Sequence, residues 1–95
     1  MHVIFAAAML AQIHTGQDLL EACRAKDKTA CDAFIKQTIK TDPAAACFKV
    51  VPAEDARNDV LHELGANETQ GNGFNQRDAA ALVAELFAKE CNSPL

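Results

Sequence analysis

The sequence predicts an all-α fold, a small helical domain of four to five helices crosslinked by two disulfides. Apolar residues recur with helical spacing, most clearly at Ala79, Leu82, Val83, Leu86 and Phe87. The chain has 95 residues and four cysteines. A core of this size supplies only about 3–5 kcal/mol of net stability, so covalent crosslinks are expected.

The spacing of Cys23, Cys31, Cys47 and Cys91 favours disulfides over a metal site. Structural zinc sites bring their ligands as close pairs within a turn, and thioredoxin-like redox motifs need the same close spacing. The alternative is four reduced, buried thiols in a cytosolic interaction domain.

Residues 1–15 are interpreted as a signal-peptide remnant or an N-terminal helix, and residues 16–95 as a single helical domain. Val3 to Ala11 form an uninterrupted apolar run, which has the length of the apolar part of a secretory signal and is too short to span a membrane. No Lys or Arg precedes the run, so a first helix that packs on the domain is the alternative. A signal would direct the chain to an oxidising compartment, where disulfides form.

The first helix of the domain is predicted to begin at Thr15, which can cap it, with Asp18 at the third helical position. It ends in a short charged turn that leads into a second, antiparallel helix. Such a turn places Cys23 beside Cys31, so this pairing is the easiest to satisfy locally.

The second helix is predicted to begin with a capping box formed by Thr29 and Asp32 and to stop before Pro43. Its buried face is defined by positions with helical spacing: Cys31, Phe34, Ile35, Thr38 and Ile39.

A third helix is predicted to have Pro52 at its first position and to end at Gly65. Its core-facing stripe comprises Ala53, Ala56, Val60, Leu61 and Leu64. Residues 66–74 hold two of the four glycines and few apolar side chains, so they are predicted to form a loop.

The last helix is predicted to be capped by Asn75, with Asp78 at its third position. Cys91 continues the apolar face of this helix, so we expect it to reach the core. By elimination it pairs with Cys47, closing a long loop for which a chain-entropy estimate gives about 4 kcal/mol of stabilisation.

The charge pattern argues against several functions. The formal net charge is −4 and there is no basic run, which disfavours nucleic acid and anionic membranes as partners. No phosphate loop, metal-ligand cluster or nucleophile with a recognisable base is present, so neither catalysis nor a cofactor is expected.

Four parts of the sequence together suggest a family: Gly16 to Cys23, Cys31 to Ile35, Cys47 followed by Pro52, and a helix that ends at Cys91. They resemble the Rap/Tai immunity proteins of type VI secretion systems. The resemblance therefore covers residues 16–91 and rests on cysteine spacing and a few apolar positions.

Membership in this family would imply a periplasmic dimer of helical protomers that binds a secreted peptidoglycan amidase and occludes its active-site cleft. The amidase would carry a Cys-His catalytic pair and cleave the peptide stems of the cell wall. The contact candidates are chosen for their position in the predicted loop, because binding residues concentrate on loops held by a rigid scaffold. They are Glu68, Gln70, Asn72 and Phe74.

The main competing interpretation is a periplasmic, disulfide-containing binding module or acid-stress chaperone, which would also be small and helical. A chaperone would expose apolar surface on acidification, whereas an immunity protein would bind one folded partner at neutral pH.

Overall fold

The described residues of a computed structural model, 12–92, contain helices and no strand, which confirms the all-α fold. We number the α-helices in chain order, and a 3₁₀ segment and a short 3₁₀ turn lie between them. The elements are α1 (Gly16–Arg24), α2 (Thr29–Thr41), the 3₁₀ segment (Pro43–Val50), α3 (Ala53–Glu68), the 3₁₀ turn (Phe74–Gln76) and α4 (Ala79–Cys91). Most of the predicted leader or N-terminal helix, residues 1–11, lies outside the described part of the chain.

The start of α1 confirms the prediction made for Thr15. Its hydroxyl accepts a hydrogen bond from the backbone N–H of Asp18 at 3.1 Å, and the Asp18 carboxylate accepts one from the backbone N–H of Thr15 at 3.1 Å. The same carboxylate accepts a bond from the backbone N–H of His14. The His14 bond, followed by the Thr15 bond, holds the pKa of Asp18 below its usual 3.8.

The predicted capping box of α2 is wrong. The helix does begin at Thr29, but Lys28 precedes it without a side-chain cap, and the Thr29 hydroxyl donates to Asp27. Asp32 instead accepts two hydrogen bonds from Arg57 of α3, at 2.8 and 2.7 Å. The Asp32 carboxylate is therefore engaged in a long-range ion pair and does not cap α2.

The predicted boundaries of α3 need two corrections. Pro52 immediately precedes the helix and does not occupy its first position. The helix also passes through Gly65, which has no positive φ, and ends at Glu68. Its last turn is held by Asn67, whose side-chain amide donates to the backbone carbonyl of Glu63 at 2.9 Å.

The predicted cap of the last helix is also wrong. Helix α4 begins at Ala79, and Asp78 caps it by accepting a hydrogen bond from the backbone N–H of Ala81 at 3.0 Å. Asn75 lies in the 3₁₀ turn and is buried. The cap is thus three residues later than the sequence pattern indicates.

One core joins all of these elements. Its fully buried side chains come from α1, α2, α3 and α4, and the largest are Phe87, Leu19, Leu20, Val60 and Val83. Phe48 of the 3₁₀ segment packs on Phe87 with the ring centroids 4.2 Å apart. The 3₁₀ segment is therefore packed against α4, to which the disulfide between Cys47 and Cys91 also joins it.

Both predicted disulfides are confirmed. Cys23 and Cys31 are bonded, with Cα atoms 4.8 Å apart, and both residues are fully buried. Cys47 and Cys91 are bonded, with Cα atoms 5.7 Å apart. The expectation that Cys91 reaches the core is wrong, because Cys91 is only half-buried and Cys47 lies on the exposed side of the 3₁₀ segment.

Candidate binding surface

The connection between α3 and the 3₁₀ turn, residues 69–73, is the part of the predicted loop that remains a loop, and we call it the α3–α4 loop. All five of its residues are exposed. Gly71 and Gly73 have φ values of +62° and +80°, a region that side chains with a Cβ rarely adopt. The two glycines therefore allow the loop to take this path.

The loop is held by side-chain hydrogen bonds from within. Asn72 accepts a bond from the backbone N–H of Phe74 at 3.0 Å and donates one to the side chain of Asn67 at 3.3 Å. The backbone N–H of Gln70 donates to the carbonyl of Asn67 at 3.2 Å. The side chain of Asn72 thus spans both ends of the loop, while no bond to the Gln70 side chain is recorded within residues 12–92.

The base of the loop is fixed by Asn75, which the sequence pattern assigns only to a cap. Its side-chain amide donates to the backbone carbonyl of Leu64 at 2.8 Å and to the side chain of Gln17 at 3.2 Å. Asn75 is only 5% exposed, and its Oδ1 atom has no hydrogen-bond partner among the described residues. The bonds of Asn75 connect the 3₁₀ turn to both α1 and α3.

Glu68 is the last residue of α3 and is not part of the loop, which corrects the predicted range of 66–74. Its carboxylate accepts a hydrogen bond from Gln17 at 2.8 Å and forms an ion pair with Arg24 at 2.9 Å. The Gln17 bond, followed by the Arg24 bond, lowers the pKa of Glu68 from its usual 4.5. This carboxylate is therefore already engaged within the chain.

Phe74 is half-buried and packs on the core. It lines a small cavity of about 160 Å³ between α3 and α4, and the guanidinium of Arg77 lies 5.7 Å from its ring centroid. Of the four contact candidates, Gln70 and Asn72 are exposed on the loop. Glu68 is also exposed but is bonded to α1, and Phe74 packs on the core.

Gln17 also belongs to this surface, although no sequence pattern selects it as a binding residue. One end of its amide donates to Glu68 and the other accepts from Asn75. Its partners lie 51 and 58 positions away, so no local pattern indicates them. It belongs to the first turn of the helix that its neighbour Thr15 caps.

A cluster of three carboxylates lies where the end of α4 is near α3: Glu90 of α4 with Asp59 and Glu63 of α3. Partial burial raises the pKa of Glu90 above its usual 4.5, and so does the proximity of Asp59 and Glu63, against a smaller opposing effect of Lys89. The folded chain therefore binds the carboxyl proton of Glu90 more tightly than the unfolded chain does. The contribution of Glu90 to stability rises as the pH falls through its raised pKa and is lost as the pH rises.

We expect Glu90→Gln to raise the melting temperature at pH 7, because it removes a negative charge that Asp59 and Glu63 repel. The gain should shrink as the pH falls through the pKa of Glu90, where the wild-type carboxyl is neutral too. Circular dichroism melts across this pH range check the result. Glu21→Gln, on the exposed face of α1, removes the same charge and should give no such trend; equal gains for both variants would contradict the explanation.

Residues 12–92 contain no group of three His, Cys, Asp or Glu side chains placed to hold a metal ion. No helix among them has the length and apolarity that a membrane span requires.

Together, the fold and this surface define a small helical protein crosslinked by two disulfides that presents a short, internally bonded loop. Disulfides of this kind are typical of proteins outside the reducing cytosol. No protein-family model, curated protein or solved structure significantly matches the chain.

Proposed function

We propose that the protein is a periplasmic immunity protein that binds a type VI secretion peptidoglycan amidase and occludes the active-site cleft of that enzyme. The observation that carries the proposal is the exposed α3–α4 loop, held at its base by Asn75 and Gln17 on a frame closed by two disulfides. The resemblance of residues 16–91 to the Rap/Tai immunity proteins supplies the class of partner.

The expected mechanism is steric. A loop whose conformation is already fixed loses little conformational entropy on binding, so more of the contact energy appears as affinity. Gln70 would enter the cleft that normally receives a peptide stem, and Asn72 would keep the loop in the shape that makes this entry possible. The net charge of −4 would favour association with a basic enzyme.

A growth-rescue assay tests the proposal. The product of the neighbouring gene is directed to the periplasm of a test bacterium, and growth is scored with and without this protein exported to the same compartment. We expect the neighbour to arrest growth and the exported protein to restore it. A harmless neighbour, or a toxic one against which the exported protein gives no protection, would overturn the proposal.

A loop variant tests the mechanism in the same assay. Gln70→Arg adds bulk and charge at an exposed position without a recorded side-chain bond, and we expect it to abolish protection. Gln37→Arg makes the same change on the exposed surface of α2 and should protect like the wild type. Full protection by Gln70→Arg would remove the loop from the inhibitory contact.

The alternative of an acid-stress chaperone gains no support from the acidic cluster around Glu90. Protonation of Glu90, whose pKa is raised, relieves its repulsion from Asp59 and Glu63, so this cluster does not loosen the fold in acid. A chaperone activated by acid would have to open at another place.

A further inference from the structure

An open groove runs along α2, and no residue of α1 lines it. One wall is formed by α2 and the other by five residues of the chain that follows it, and the volume between them is about 680 Å³. The five are Phe48, Lys49, Val51, Ala53 and Ala56. We call it the α2 groove. Its floor is apolar: Ile35 and Ile39 are buried beneath it, whereas Phe48 and Val51 are partly exposed and offer most of its apolar surface. A groove of this size lies within the range of volumes that binding sites occupy.

Three lysines border the groove. Lys36 and Lys40 lie one turn apart on α2, and Lys49 lies on the opposite wall. All three are exposed, and none has a salt bridge recorded within residues 12–92. Lysine stems can cover apolar surface while the ammonium groups stay in water.

The charge of this groove is opposite to that of the chain as a whole. The only carboxylate in its lining belongs to Asp32, which is already neutralised by Arg57 at 2.7 Å. Glu54 and Asp55 are exposed between the lining residues Ala53 and Ala56 but do not line the groove themselves. The formal net charge of the chain is −4, yet the groove offers three ammonium groups beside an apolar floor. Such a patch fits an anionic, amphipathic partner.

The number and spread of the lysines indicate a polypeptide. The lining residues of α2 run from Thr29 to Lys40, which is about 16 Å of helix, or three turns. The carboxylate of a fatty acid is a single charge and could meet the lysines at only one point. An amphipathic helix with glutamates beside its apolar stripe could meet lysines on both walls.

We propose that the α2 groove binds an acidic amphipathic segment of a protein partner, with the apolar side chains of that segment on the groove floor and its carboxylates against Lys36, Lys40 and Lys49. This is a helix-in-groove contact reinforced by charge. The site is separate from the α3–α4 loop and does not depend on the immunity function.

The test uses the intact protein and a fluorescein-labelled synthetic peptide about four helical turns long, with leucines at helical spacing and glutamates beside them. Fluorescence anisotropy gives its affinity. We expect the glutamate peptide to bind at least about tenfold more tightly than the same peptide with lysine for glutamate, and more tightly than one with scrambled leucines. Equal binding of the three peptides would overturn the proposal.

Charge reversals on the protein locate the contact. Lys36→Glu and Lys49→Glu should each weaken binding of the glutamate peptide by about threefold. Lys26→Glu makes the same charge change in the exposed turn between α1 and α2 and should leave affinity within about twofold. A loss with Lys26→Glu equal to that of the groove variants would place the peptide elsewhere. One laurate bound per chain, with no binding of the glutamate peptide, would assign the groove to a fatty acyl anion and overturn the proposal.

Discussion

Replacing Cys47 and Cys91 together by serine is expected to lower the free energy of unfolding by about 4 kcal/mol. The bond joins residues 44 positions apart, and the chain-entropy model assigns about that amount to a closed loop of this length. Cys47 is exposed and Cys91 is half-buried, so the folded state accepts serine at both positions with little packing loss. The effect therefore comes chiefly from the unfolded chain, which gains conformations when the bond is absent.

Urea unfolding followed by far-ultraviolet circular dichroism measures this loss, since the chain has no Trp or Tyr to report by fluorescence. The single variants Cys47→Ser and Cys91→Ser are the controls, because either one removes the same bond. Each should lose about as much as the double variant, which is strong non-additivity. Losses that are small and add up would mean that local contacts, and not the crosslink, carry the stabilisation.

The same bond has a consequence for the α2 groove. Cys47 precedes Phe48, which lines the groove, and Lys49, which borders it. The bond to α4 therefore holds the wall opposite α2 in place. A chain without this bond, measured under conditions where it stays folded, should bind the acidic peptide more weakly.

Helical periodicity predicted most of the buried residues but not all of them, because Ala53, placed on the core-facing stripe of α3, is exposed at the start of that helix. Leu19, Leu20 and Cys23 are all fully buried, and their spacing alone places them on one face. The pairing of Cys23 with Cys31 could be predicted equally well, because a short turn between antiparallel helices limits which residues can meet. These features depend on one element or on two adjacent ones.

The wrong predictions concern side chains whose partners are distant in sequence. Asn75 has a residue type that favours a cap, yet its amide bonds to Leu64 and Gln17 and it is buried between them. Asp32 was predicted to take part in the cap of α2, but it accepts a hydrogen bond from Arg57, 25 positions away. In both cases a tertiary hydrogen bond replaces the local one that the sequence pattern favours.

For the two candidate surfaces, too, local features could be predicted from the sequence and long-range ones could not. Gly71 and Gly73 identify a loop from their residue type alone, and both adopt positive φ. The α2 groove could not be predicted, since it exists only because the 3₁₀ segment brings Lys49 and Phe48 opposite Lys36 of α2. The position of the 3₁₀ segment depends in turn on Phe87.

Phe87→Ala is expected to lower the free energy of unfolding by about 3–5 kcal/mol, the range for removing a buried aromatic side chain. Phe87 is fully buried, and its ring lies 4.2 Å from that of Phe48. Three contributions make up this loss: the free energy gained by burying the ring away from water, the cost of the cavity left behind, and an aromatic contact of about 0.5–1.5 kcal/mol. Urea unfolding by circular dichroism measures it, and Phe34→Ala, at a half-buried position on α2, should cost less.

Phe87→Leu separates the general packing of Phe87 from its particular contact with Phe48. Leucine keeps most of the apolar volume and should recover much of the stability lost with alanine. It cannot restore the contact between two aromatic rings, so the wall of the groove should remain looser and affinity for the acidic peptide should remain reduced. If Phe87→Leu restored peptide affinity to the wild-type value, the aromatic pair would have no role in the groove, and the Cys47–Cys91 bond would be the main constraint on its wall.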